Sequence, residues 1–82
     1  MEQEKSISPA QIRAARALID MSQAELAEAA TVSSMTVKRA EGSGQPYPAG
    51  KALQALREAL ESAGVQFIAE NGGGPGVRLQ RK

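Results

Sequence analysis

The chain has 82 residues, with 10 Lys and Arg against 9 Asp and Glu, and contains neither Cys nor His. That length is one small domain, whose core is thin because it buries only about 60–65% of the surface the unfolded chain exposes, so support from a second copy would help. Without cysteine there are no disulfides and no thiolate metal sites, and without histidine no Ser-His triad, imidazole acid–base chemistry or His-metal site.

Ser8-Pro9-Ala10-Gln11 reads as a helix start: Ser8 caps, Pro9 fits the first helical position, and Gln11 completes a capping box. Ile12, Ala15, Leu18 and Ile19 then recur at helical spacing, which predicts one apolar face on a helix from Pro9 to about Ile19. Ser22-Gln23-Ala24-Glu25 is a second capping box, opening a short alanine-rich helix with Ala24, Leu26, Ala27 and Ala30 that ends near Ala29 or Ala30. Thr31-Val32-Ser33 breaks the pattern, and Ser33 caps again ahead of two turns from Ser34 to Glu41. Val32, Val37 and Ala40 are expected to face inward, and Ser34, Met35, Lys38 and Arg39 outward. Residues 42–48, Gly-Ser-Gly-Gln-Pro-Tyr-Pro, form a loop by composition. A fourth helix spans about Ala49 to Ala63 with Leu53, Leu56, Leu60 and Ala63 as its stripe, and Gly64 stops it. The period then changes, and Val65–Ile68 and Val77–Gln80 read as two short strands, with Val65 and Phe67 sharing a face, as do Val77 and Leu79. The glycines at 72–74 and 76 lack the ending of a phosphate-binding P-loop and precede no helix, so a hairpin connection is the better reading.

Charge is unevenly distributed. Residues 1–28 carry a net −2, residues 29–57 a net +3 through Lys38, Arg39, Lys51 and Arg57 against Glu41, and residues 58–82 balance. A basic middle fits a nucleic-acid partner or an ordinary solvated face. The only aromatics are Tyr47 and Phe67, which argues against single-strand binding by base stacking. The polar start Met1–Lys5 is no secretory signal and no run approaches a membrane span, so a soluble cytoplasmic protein with no membrane partner is expected.

Two short helices joined by a turn of about three residues, small where they cross and polar on the outer face of the second, are the sequence form of a helix-turn-helix. Ser22-Gln23-Ala24-Glu25-Leu26-Ala27, then Val32-Ser33, Thr36-Val37 and Glu41-Gly42, resembles the pattern of the Xre/Cro/phage-repressor family, the likeness covering about residues 10–63. The resemblance implies a mainly α, four-helix, lambda-repressor-like domain over residues 1–64, with a C-terminal β-hairpin and tail over 65–82. It implies a transcriptional regulator that binds double-stranded DNA, with no cofactor and no enzymatic activity, its recognition helix at about 33–41. Gln23 matches a phosphate-binding position, Ser33, Ser34, Met35 and Thr36 match positions facing base edges, and Lys38, Arg39 and Ser43 match phosphate or base contacts. Arg16 and Glu41 match a structural ion pair that holds the recognition helix to the first helix.

The residue chemistry is consistent with this. Arg39 is suited to a bidentate guanine contact, and Met35 either packs on a thymine methyl or turns inward. Where the family usually carries glycine in the turn, this chain has Thr31, which predicts a β-branched residue at positive φ. Family members bind two-fold operators as dimers, and Val65, Phe67, Ile68, Val77 and Leu79 are expected either to form a homodimerisation sheet or to pack on the chain's own helices. Two alternatives stay open: an antitoxin-like regulator that also binds a partner protein, and a protein-interaction module built on the same scaffold.

Overall fold

A computed structural model describes residues 7–70 and 72–80; the Met1–Lys5 stretch, Asn71 and the Arg81–Lys82 tail lie outside them. Four helices and an antiparallel hairpin follow in order: α1 Pro9–Leu18, α2 Gln23–Ala30, α3 Ser34–Ala40, α4 Gly50–Ser62, β1 Val65–Ile68 and β2 Gly76–Leu79. The domain is mainly α.

The three expected serine caps are all formed. Ser8 and Ser22 each accept from the amide three residues on, while Gln11 and Glu25 return a side-chain oxygen to the cap amide. Ser33 caps α3 through the Thr36 amide. Such caps satisfy amides that the first turn of a helix leaves unpaired. The fourth helix starts at Ala49 with no side-chain cap.

The first three helices close in one way. At α1 the Asp20 amide donates to Ala17 and Met21 to Arg16; at α2 Thr31 donates to Glu28 and Val32 to Ala27; at α3 Gly42 donates to Arg39 and Ser43 to Lys38. This paired closure puts its pivot residue in the left-handed region, and Asp20, Thr31 and Gly42 have φ of 58°, 59° and 105°. Only the third pivot is glycine. There a Cβ would come within 4 Å of both Arg13 and Pro9.

Ile12, Ala15, Leu26, Ala27, Val37, Ala40, Leu56, Leu60 and Val65 form one buried core, joined by Ile7 just ahead of the first cap. Ile19, Val32 and Leu53 pack against it half-buried, and two expected positions face solvent instead. Leu18 is 41% exposed, because it lies about 120° around the helix from Ile12 at 3.6 residues per turn. Ala63 caps the end of α4 in solvent, one residue past the last helical turn.

In the hairpin Val65 pairs with Leu79, Gln66 with Arg78, Phe67 with Val77 and Ile68 with Gly76. The second strand thus begins one residue earlier than its apolar pattern suggests, although Gln80 still donates its amide to Gly64 at 2.7 Å. The face shared by Val65, Phe67 and Val77 packs on the helical core, with the Arg57 guanidinium of α4 5.3 Å from the Phe67 ring centroid, within cation–π range. The Gln11 side chain adds a tie unseen in the sequence: beyond its capping role, Nε2 donates to the carbonyls of Ile68 (3.3 Å) and Gly76 (3.0 Å).

Thr31 is exposed, so its side chain contributes little packing to offset its left-handed backbone. Relief of that strain exceeds the extra entropy glycine loses on folding. Thr31→Gly is expected to stabilise the domain by about 1 kcal/mol and raise the melting temperature by roughly 4–8 °C, measured by thermal circular dichroism; an unchanged or lower melting temperature contradicts the strain.

Candidate nucleic-acid interface

The elements meet at one buried carboxylate. Glu41, the residue that ends α3, retains only 7% of its accessible surface. Arg16 of α1 grips it from two sides, Nε donating to Oε2 at 2.6 Å and Nη2 to Oε1 at 3.0 Å. Gln23, the first residue of α2, donates Nε2 to Oε1 at 2.9 Å. Arg13 of α1 donates Nη1 to the Glu41 main-chain carbonyl at 2.6 Å, and Arg16 donates from its third nitrogen, Nη1, to the Met21 carbonyl at 3.0 Å. Three helices are thereby fixed to one another by a single side chain. A bidentate guanidinium–carboxylate pair also sets orientation, so α3 is held in direction as well as position.

Burial pushes the Glu41 carboxyl up, but the hydrogen bonds from Arg16 and Gln23 and the positive field of Arg16 and Arg13 outweigh it and hold the group below the usual carboxylate range. The hydrogen bond to Glu41 in turn raises Arg16 above its ordinary value, against the opposing effect of burial.

With its inner side occupied by Val37 and Ala40, α3 turns Ser34, Met35 and Lys38 to solvent, with Arg39 half-buried beside them. Lys38 and Arg39 have no ion-pair or hydrogen-bond partner for their side chains among the described residues. The residues expected to make contacts divide into two groups. Ser33 and Thr36 are tied to each other, their hydroxyls 3.0 Å apart and Ser33 Oγ accepting from the Thr36 amide. Ser34, Met35, Lys38, Arg39 and the exposed Ser43 have side chains without hydrogen bonds among the described residues. Gln23 is half-buried, with one of its two amide protons on Glu41 and one left over. The residues expected at a dimer surface divide likewise: Val65 is buried, Phe67, Ile68 and Val77 are half-buried, and Leu79 is 44% exposed.

Arg13, and the tie of Gln11 to the hairpin beyond its capping role, are structural features that the sequence did not single out. Both side chains bond main-chain carbonyls distant along the chain, and a carbonyl acceptor has no side-chain signature. Among the described residues no helix is long and apolar enough to cross a membrane, and no three His, Cys, Asp or Glu gather where they could hold a metal ion. No family model matches the chain, and no curated protein matches it at a significant level.

A group whose pKa is lowered in the folded state contributes stability that is complete above its unfolded value, about 4.5 here, and is lost as pH falls through the lower folded value. Glu41→Gln leaves Arg16 without its counter-charge, a loss expected toward the lower end of about 3–5 kcal/mol because Arg16 keeps some solvent contact. Thermal melts from pH 7 to pH 3 are expected to show the variant well below wild type at neutral pH and the two converging in acid. Parallel curves across that range would mean that the carboxylate's charge contributes nothing.

Proposed function

We propose that the protein is a sequence-specific DNA-binding transcriptional regulator of the Xre/Cro, lambda-repressor-like kind, with residues 33–41 as its recognition helix. The observation that carries this reading is the combination at α3. A two-turn helix follows a partner helix across a three-residue turn, is fixed in orientation by Glu41, and carries on its outer side two cations, Lys38 and Arg39, that have no side-chain partner among the described residues. Reading a base sequence requires such rigid placement, since base-edge contacts must be aimed while phosphate contacts hold the register.

In this reading Arg39 and Lys38 reach guanine edges or phosphates, Ser34, Met35 and Ser43 face the duplex, and Gln23 offers its second amide proton to a phosphate oxygen. Ser33 and Thr36 serve mainly to shape the first turn of α3, because their hydroxyls already satisfy one another. The protein acts as a homodimer on a two-fold site, its recognition helices about 34 Å apart. Support for self-association is narrower than the sequence implies and centres on Leu79 at the sheet edge. A second reading, an antitoxin-like regulator whose partner protein covers this exposed leucine, draws on the same observation.

Selection of bound fragments from a random duplex pool is expected to enrich one two-fold sequence, and Arg39→Ala is expected to lose about 1–3 kcal/mol of discrimination at one position of each half-site. Failure to enrich any sequence at moderate salt would remove the proposal. Sedimentation at high micromolar protein is expected to give a dimer mass; a strictly monomeric mass would remove the hairpin-mediated dimer and leave DNA as the only means of pairing two copies.

A further inference from the structure

The outward face of α3 contains one residue that the fold does not explain. Met35 is 50% exposed, although the core beneath it is already closed by Val37 and Ala40. Lys38 and Arg39 follow it at three and four residues, so their side chains lie beside it on one helical face. An unbranched apolar side chain thus stands next to two cations that have no side-chain partner among the described residues. An anionic surface with a small apolar group between its charges complements this face. The major groove of duplex DNA is one, with phosphates along its rims and the C5-methyl of thymine on its floor.

The neighbouring side chains sharpen the argument. Ser33 and Thr36 satisfy each other, which leaves Ser34 and Met35 as the free side chains in the first turn of α3. A serine hydroxyl both donates and accepts, and so discriminates poorly among bases. Selectivity at this end of the helix therefore falls to the apolar contact. Resting on the DNA-binding reading above, we infer that Met35 reads a 5-methylpyrimidine in each half-site, with the methyl group itself as the recognised feature. Thymine supplies that group, and so does 5-methylcytosine, so cytosine methylation at this position creates the same contact.

The test starts from the sequence that wild-type protein enriches. Each thymine is replaced in turn by uracil, which keeps base pairing and removes only the methyl. Dissociation constants are expected to rise about four-fold at one position per half-site, the effect of one buried methyl. Met35→Ala is expected to abolish the thymine–uracil difference at that position alone, and Met35→Leu to preserve it. With a C·G pair placed there, methylating the cytosine is expected to recover the same factor. Because Met35 is half exposed, an unchanged melting temperature for Met35→Ala is expected to show that the fold is intact. If a sequence is enriched but no uracil weakens binding, or the difference survives in Met35→Ala, methyl reading is overturned and the DNA-binding proposal stands. If no sequence is enriched, both are overturned.

Discussion

The carboxylate of Glu41 is bound by Arg16 and Gln23 while the main-chain carbonyl of the same residue is bound by Arg13. These donors come from α1 and α2, and the acceptor is the last point of α3. The helix they position has only seven residues, too short to be stable alone. Its direction is imposed from outside, by two core residues beneath it and by this network at its end. A purely apolar anchor would allow rotation about the helix axis, because hydrophobic contact is not directional. A forked guanidinium on a carboxylate resists that rotation. The arrangement suits a surface whose use depends on where Met35, Lys38 and Arg39 point.

The closures of α1, α2 and α3 are the complementary constraint. Each helix turns back on itself through a left-handed residue, which keeps the connections short enough for Arg16 of one helix to reach Met21 beyond its end and Glu41 two helices later. The chain adopts the same conformation with aspartate, threonine and glycine at the three pivots. Threonine is the least suited of these, since its branched Cβ crowds the backbone at positive φ. At the third pivot the φ of 105° is itself the case for glycine, since a Cβ there would meet Arg13 and Pro9 only at ordinary van der Waals distance.

Much of this was legible because it is local. A serine followed three residues later by Gln or Glu announces a cap, and Ser8 and Ser22 are read correctly for that reason. The stripe of α4 is read correctly at Leu56 and Leu60 because a thirteen-residue helix repeats its pattern enough times. Leu18 and Ala63 show the limit: at a helix end, apolar spacing no longer says which side is covered. The Arg16–Glu41 pair spans 25 residues and has no local signature, so only the resemblance to a family pointed to it. Gln11 was legible in its capping role alone, and Asp20 not at all, because aspartate at a helix end is equally at home in ordinary turns.

Gln11 has a consequence for the connection between β1 and β2. It grips the two carbonyls that flank the loop between β1 and β2, at Ile68 and Gly76. In most hairpins the turn sets the register of the strands, and a change of its length or residue type shifts the pairing. Here the register is held from the side, by a helix at the opposite end of the sequence. The connection between those carbonyls is thereby less needed to set the register, and a change in its length costs little in loop-closure entropy. It is the place where this scaffold can accept a grafted epitope or a longer natural insertion while α3 stays where it is.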